Sequence, residues 1–320
     1  MRDPADRSPG PGAEAGEPVI DVQDVRKAYG AVRAVDGVTF QVARGEIFGL
    51  LGPNGAGKTT TMEMLEGLHA PDSGRLTVLG LDVASHASEI KEQVGVQLQT
   101  AALFPQLTVE ELLRLFGSFY RRRLPVAELL KDLDLGEKRS DQSKNLSGGQ
   151  RQRLSVALAL VNDPEVVFLD EPTTGLDPAA RRGLWELILD LKRHGRTVLM
   201  TTHYLEEAEA ICDRVAIMDH GKILDIGTAP ELIGRRFKER AIQFDSLDGL
   251  GDQRLSALPS VVRVAHEDGS TLLYTRDVPA TIGGLLEVSR GLGTEPGNLL
   301  VRQATLEDVF LELTGRALRD

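Results

Sequence analysis

The 320-residue chain has one cysteine, Cys212, so no disulfide can form within it and no cysteine-based metal cluster can assemble. Positive charge is scarce as well. The 37 Lys and Arg face 48 Asp and Glu, a net charge of −11, which argues against a protein that works by neutralising nucleic-acid phosphates. No apolar run approaches the roughly 20 residues that cross a bilayer; the best, Val156 to Val161, is interrupted within a few residues. The N-terminus runs from Met1-Arg-Asp-Pro into Pro, Gly, Ala and Glu without the apolar stretch of a secretory leader. The expectation is a cytoplasmic protein that neither spans nor inserts into a membrane by itself. What is present is 41% hydrophobic and 27% charged residues, the ordinary balance of a globular chain with ample core. The length suits about two domains of roughly 150 residues each.

Residues 1 to 17 are rich in Pro, Gly and charge and predict a disordered tail. From Pro18 short β-rich runs (Val19 to Val25, Val38 to Val42, Ile47 to Leu51) lead into a helical pattern from Thr59 to Leu68. Further strands are expected at Glu165 to Leu169 and Thr197 to Met200, and helices at Arg151 to Leu160, Arg181 to Lys192 and Leu205 to Cys212. Such alternation marks an α/β fold with buried parallel strands. Between about 100 and 162 the strands stop. Leu112, Leu115, Phe116 and Phe119 recur at helical spacing, with Glu110 and Glu111 early in the helix, so a helical insert is expected there. This α/β domain is expected over 18–236. A small α+β module follows over 240–320, with strands at Ile242 to Phe244, Val261 to Ala265 and Thr271 to Tyr274, and helices at Ala280 to Ser289 and Leu306 to Leu313. Residues 241–320 hold twelve acids, seven arginines and no lysine, a further count against nucleic acid.

Gly52-Pro-Asn54-Gly55-Ala56-Gly57-Lys58-Thr59-Thr60 fits the P-loop pattern, with an apolar strand running into it and a helix leaving it. Glycines let successive backbone N–H groups curl around phosphate oxygens, and the helix N-terminus adds partial positive charge. Lys58 is placed to reach the β- and γ-phosphates and the Thr59 hydroxyl to ligate Mg²⁺. Val166-Val-Phe-Leu-Asp170-Glu171 supplies a buried strand ending in two acids, where open α/β sheets hold their ligands. Asp170 is expected to hold Mg²⁺, and Glu171 to orient and deprotonate an attacking water. No Asn-Lys-x-Asp guanine-reading motif follows, so adenine is favoured. Leu146-Ser147-Gly148-Gly149-Gln150 adds a second anion site at a helix N-terminus. One chain binding one ATP does not need it. Two chains head to tail do, because each completes the other's pocket.

With these motifs in this order the chain resembles the ATP-binding subunits of ABC transporters over about residues 18 to 232. The resemblance implies a P-loop NTPase fold with a mixed sheet and helical insert, ATP and Mg²⁺ as ligands, and ATP hydrolysis coupled to transport. It implies that Tyr29 stacks on adenine and that Gln99 joins the Mg²⁺ site to the insert; Gln97 competes, but the spacing to Thr108-Val-Glu-Glu favours Gln99. It further implies that Gly175-Leu176-Asp177 crosses a dimer interface and that His203 contacts the γ-phosphate. His69, His86, His194, His220 and His266 are read as surface or core histidines, Trp185 as core and Cys212 as a small buried hydrophobe.

The C-terminal Leu306-Glu-Asp-Val-Phe-Leu-Glu-Leu-Thr-Gly315 resembles the tail of exporter ATPases of the daunorubicin-resistance type. Leu146 and Gln150 keep the general signature, which many of that group replace. The resemblance implies export of a drug or other hydrophobic small molecule by a homodimer or heterodimer of nucleotide-binding subunits. These would sit on the inner face of the cell membrane, held there by a separate transmembrane subunit. A groove near Phe104, Leu107, Phe116 and Phe119 is the expected docking site, although core packing explains Phe116 and Phe119 equally well. An importer ATPase shares the same core and differs by the C-terminal module. Non-transport relatives usually carry two nucleotide domains in one chain and basic surfaces, which are missing here.

Overall fold

The computed structural model describes residues 18–98, 103–245, 250–267 and 269–315. They divide into two compact units at Ile226–Gly227. In the first, β1 (Ile20–Tyr29) and β2 (Val32–Val42) form a hairpin, followed by β3 (Ile47–Leu51), α1 (Lys58–Leu65), β4 (Ser73–Val78), β5 (Leu81–Asp82), α2 (Val83–Gln93) and β6 (Val94–Gln97). The helical stretch carries α3 (Val109–Gly117), α4 (Val126–Asp132) and α5 (Gly148–Ala159). The chain then alternates through β7 (Val166–Asp170), α6 (Pro178–Arg193), β8 (Thr197–Thr202), α7 (Leu205–Ile211), β9 (Arg214–Asp219) and β10 (Lys222–Gly227).

The strands make two sheets. One is four-stranded, in the order β2-β1-β4-β5, with antiparallel pairing. The other is six-stranded, in the order β10-β9-β3-β8-β7-β6. Its inner pairs β3–β8, β3–β9, β7–β8 and β6–β7 are parallel. Strands β3 and β7 are apolar along almost their whole length and wholly buried, as expected of parallel strands covered on both faces. On one face, residues of both sheets and of α1 and α2 share a core in which Phe40 stacks on Phe48 with centroids 5.2 Å apart. On the other, α3 to α6 cover the six-stranded sheet through Leu112, Leu154, Leu184 and Ile188. Helix α3 starts where its sequence dictates: Thr108 accepts from Glu111 N while Glu111 accepts from Thr108 N, a reciprocal cap.

The second unit contains α8 (Ala229–Arg236), β11 (Arg240–Asp245), α9 (Asp252–Ser256), β12 (Val261–Glu267), β13 (Ser270–Thr275), α10 (Val278–Leu292), β14 (Leu300–Arg302) and α11 (Leu306–Thr314). Its sheet runs β12-β13-β11-β14 and the pairs are antiparallel. Leu285 of α10 and Leu255 of α9 pack on Ile242, Phe244 and Leu273. Helix α8 belongs to this unit because it packs on α11 with Leu232 fully buried. The division therefore falls earlier in the chain than the charged stretch from Gly234 to Arg240 suggests. A cavity of about 530 Å³ lies among Leu272, Tyr274 and Leu311. Among the described residues, no helix is long and apolar enough to cross a membrane.

One buried acid stands out in the first unit. Glu66, at the C-terminal cap of α1, is 3% exposed. Burial, with the negative charges of Asp170 and Glu63, pushes its carboxyl from 4.5 up to about 7. An acid whose pKa is raised by folding binds more protons in the folded state. Stability therefore falls as pH rises from the unfolded value and the penalty is complete above the folded one. Glu66→Gln is expected to raise the melting temperature by a few degrees near pH 8 and to change it little near pH 5. Thermal unfolding at the two pH values measures this; an equal effect at both would show that the charge of Glu66 is not what matters.

Candidate functional site

The site is built where β3, β7 and β8 end side by side. Their parallel register sets Leu51 beside Thr202 and Asp170 beside Thr201, so the loops that leave all three strands open on one edge. The P-loop Gly52–Lys58 joins β3 to α1. Gly57 caps the helix with φ 98°, a left-handed conformation that side chains avoid. A Cβ there would lie 2.3 Å from the Ala34 carbonyl oxygen. Asn54 and Gly55 are exposed, whereas Gly52, Ala56 and Gly57 are buried against neighbouring backbone. Gly221 N donates to Ala56 O at 3.0 Å and Gly52 N to Thr202 O at 3.2 Å, pinning the loop between β8 and the β9–β10 turn.

Lys58 is 4% exposed and folds into this loop, donating to the carbonyls of Gly52 at 2.7 Å and Pro53 at 3.1 Å. Its Nζ lies 3.5 Å from Glu171 Oε1. Burial lowers the Lys58 pKa, against the opposing pull of Glu171 and Asp170. Thr59 donates to Asp170 Oδ1 at 3.3 Å, and Thr201 donates to the same oxygen. Burial raises the Asp170 carboxyl, although both hydroxyls resist the shift. Thr60, next on α1, is half-buried.

Glu171 turns out of β7 with φ 46°, left-handed for a residue with a side chain. Thr201 Oγ1 accepts from its N–H at 2.9 Å, and Thr174 donates to its Oε2 at 3.2 Å. His203 Nδ1, carried just beyond β8, is 3.2 Å from Glu171 Oε1. Burial is the largest single influence on this carboxyl and pushes it up. Lys58, His203 and the Thr174 hydroxyl act against it, and the carboxyl lies below the usual carboxylate range.

Other expected residues stand apart from this cluster. Tyr29, at the end of β1, is 47% exposed, with Lys27 Nζ 5.6 Å above its ring and His69 edge-on at 6.3 Å. His69 thus borders an aromatic candidate, which nothing in its sequence context signals. Ser147 caps α5: its hydroxyl accepts from Gln150 N at 3.2 Å and its N–H donates to Gln150 Oε1 at 2.9 Å. Gly148 opens onto free space, and a Cβ on Gly149 would lie 3.1 Å from Ala180 of α6. Asp177 caps α6, accepting from Ala179 N and Ala180 N at 2.9 Å each. Gln99 lies outside the described residues; its neighbour Gln97 is buried and donates to Leu98 O at 2.7 Å. Sequence reasoning missed Thr201 and Thr174. Hydroxyls in apolar strands and loops are common, and only the parallel register shows that Thr201 meets Asp170.

The donor set suits the expected ligands. A hydroxyl and a carboxylate, Thr59 and Asp170, converge as hard oxygen donors of the kind Mg²⁺ takes alongside waters and substrate phosphates. The glycine loop and the helix N-terminus behind it form a cradle that Cβ atoms at Gly52 or Gly57 would disrupt. Among the described residues, no group of three or more His, Cys, Asp or Glu could hold a metal on its own, so a metal here would share its ligation with hydroxyls or nucleotide.

Comparison with known proteins identifies the family. Residues 35–174 match the protein-family model for the ABC transporter. The chain is 42% identical to the Nod factor export ATP-binding protein I of Ralstonia nicotianae, over 98% of this chain and 99% of that protein. It is 36% identical to the linearmycin resistance ATP-binding protein LnrL of Bacillus subtilis, over 94% of this chain and all of that one. Among solved structures, an ATP-binding subunit of an ABC transporter superposes with TM-score 0.61 and 33% identity, covering 68% of this chain and 92% of that one. A dimeric ATP-binding cassette in a post-hydrolysis state bound to ADP and Pi superposes with TM-score 0.60 and 25% identity, covering 65% and 98%.

Lys58→Ala removes the buried ammonium and is expected to weaken ATP binding at least about tenfold, the loss typical of a charge-assisted contact. Titration with a fluorescent ATP analogue measures it. Unchanged affinity would refute a phosphate-binding role for this loop.

Proposed function

The chain belongs to the ABC transporter family as an ATP-hydrolysing, ATP-binding subunit of the exporter type, and on that premise we propose how its residues bind and cleave ATP and what they drive. Tyr29 stacks on the adenine. The backbone of Gly52, Asn54, Gly55, Ala56 and Gly57 wraps the phosphates, and Lys58 and Thr60 complete the cradle. Thr59, Asp170 and Gln99 would hold Mg²⁺, which would supply neutralisation of phosphate charge.

Glu171 takes a proton from the attacking water as its oxygen bonds to the γ-phosphorus, while the bond from that phosphorus to the β–γ bridging oxygen breaks and ADP leaves from inorganic phosphate. The cluster of Lys58, Glu171 and His203 is the observation that carries this reading. Lys58 and His203 depress the basicity of Glu171 while they face it. A γ-phosphate that draws Lys58 and His203 to itself removes both influences, and the carboxylate becomes a stronger base when substrate is in place. His203 then stabilises charge on the transferred phosphoryl group.

Ser147, Gly148, Gly149 and Gln150 form a phosphate-facing surface that completes the pocket of a second nucleotide-binding subunit, and Asp177 lines the contact between the two. The hydrogen bonds found at this cap lie within it, and Gly148 faces open space, which supports a ligand from outside the chain. The dimeric form of one structural relative supports the pairing. ATP closes the two subunits and hydrolysis parts them. A separate transmembrane subunit receives the stroke at the exposed Phe104 and Phe119, which flank Leu107 and Phe116 on the helical insert. The names of the relatives, one for Nod factor export and one for linearmycin resistance, support export of a small molecule over import.

Glu171→Gln is expected to bind ATP, to lose hydrolysis by about 10²- to 10⁴-fold, and to accumulate as a dimer with ATP in size-exclusion chromatography. Full ATPase activity in that variant would overturn Glu171 as the base. Hydrolysis without a dimer at any stage would overturn the shared pocket.

A further inference from the structure

His203 reaches Glu171 with help from residues that the proposed site does not use. Tyr204, the next residue, lies with its ring centroid 4.1 Å from that of His203, at 43° between the planes. The Arg181 guanidinium carbon sits 4.4 Å from the centroid of the same tyrosine ring. Arg181 belongs to the first turn of α6, and its N–H donates to the Asp177 carbonyl at 2.9 Å. A continuous line of contacts therefore runs from Asp177, through Arg181 and Tyr204, to His203 and Glu171.

A second fastening holds the same two helices. Trp185, one turn further along α6, donates to Glu207 Oε1 at 3.0 Å. Glu207 is fully buried in α7, which begins directly after Tyr204. Tyr204 N also donates to Thr202 Oγ1 at 2.9 Å, which ties the tyrosine to the end of β8. The ring of Tyr204 is thus fixed at its backbone and gripped from α6, and its contact limits the orientations open to the imidazole. The Arg181 Nε is buried with no hydrogen-bond partner among the described residues, so Arg181 meets Tyr204 through the face of its ring and not through a hydrogen bond at Nε. The same guanidinium charge also favours the carboxylate of the buried Glu207. A Leu at position 181 would fill space there without placing a cation on the ring.

We propose that Arg181 and Tyr204 are positioning residues that set the aim of His203 at the hydrolytic centre according to the placement of Asp177 and the first turn of α6. When a second subunit presses on the Gly175–Asp177 segment, the displacement reaches the imidazole through these two side chains. Hydrolysis is thereby tied to closure of the pocket. The inference rests on the assignment of Glu171 and His203 given above, and goes beyond it by naming the residues that act through His203.

Steady-state ATPase kinetics of the full chain, normalised to ATP-binding sites by titration, test it. Tyr204→Ala and Arg181→Ala are each expected to lower kcat about tenfold or more with little change in KM for ATP, since neither side chain touches the nucleotide. Tyr204→Phe, which keeps the ring, is expected to restore most of the rate. The Arg181→Ala, Tyr204→Ala double variant is expected to be no slower than the worse single variant, because one line of contacts is broken only once. A merely structural role would lower the melting temperature and the number of binding sites while leaving the rate per site intact. A rate per site for Tyr204→Ala within about twofold of the parent, or losses that multiply in the double variant, would overturn the proposal. Glu171→Gln separates the two levels. If it hydrolyses ATP at the full rate, the assignment of the site fails. If it is inactive while both alanine variants match the parent, only the present inference fails.

Discussion

Everything at this site depends on three parallel strands that end at the same level. Side-by-side pairing of β3, β7 and β8 sets Leu51 beside Thr202 and Asp170 beside Thr201. The P-loop lies more than a hundred residues before the acid pair, and the histidine some thirty after it, yet all three leave the sheet together. Both faces of these strands are buried, so their register is strongly specified. A slip of one residue would exchange Asp170 with its apolar neighbour Leu169 and dismantle the cluster.

That cluster is a set of opposed charges held near neutrality. Lys58 and His203 both lie close to one oxygen of Glu171, and Thr59 and Thr201 share one oxygen of Asp170. Isolated, each of these groups would resist burial. Here hydrogen bonds from Thr59 and Thr201 to Asp170, and Lys58 beside Glu171, offset part of that cost. Strain adds to it, since Glu171 adopts a left-handed backbone that aims its side chain out of the strand.

Much of this was legible in the chain itself. The Gly52–Lys58 loop, the apolar Val166 to Leu169 ending in two acids, and the Ser147-Gly148-Gly149 cap combine spacing with chemistry, and the family match carries the same reading. Strand β3 occupies Ile47–Leu51 as its apolar run predicts, and α5 begins at the cap that Ser147 and Gln150 make with each other. Other features left little trace. Strands β4 and β5 lack a long apolar run and are specified by pairing with β1 and with each other. The exposed edge strand β14 has three residues and exists because β11 offers it a partner. Helix α8 runs into a charged stretch and joins the second unit through the burial of Leu232 and packing on α11, a contact between segments far apart in sequence.

The sequence by itself determined the glycine-rich Gly52–Lys58 loop, the Asp170–Glu171 acid pair and the family, because each rests on a few residues close together whose chemistry and spacing are local. Tertiary structure alone decided that Thr201 supports Asp170, that Lys58 and His203 converge on Glu171, and that Arg181 reaches Tyr204. Those meetings depend on strand register and helix packing. These are set by the burial of whole apolar faces, and no short stretch of chain encodes them.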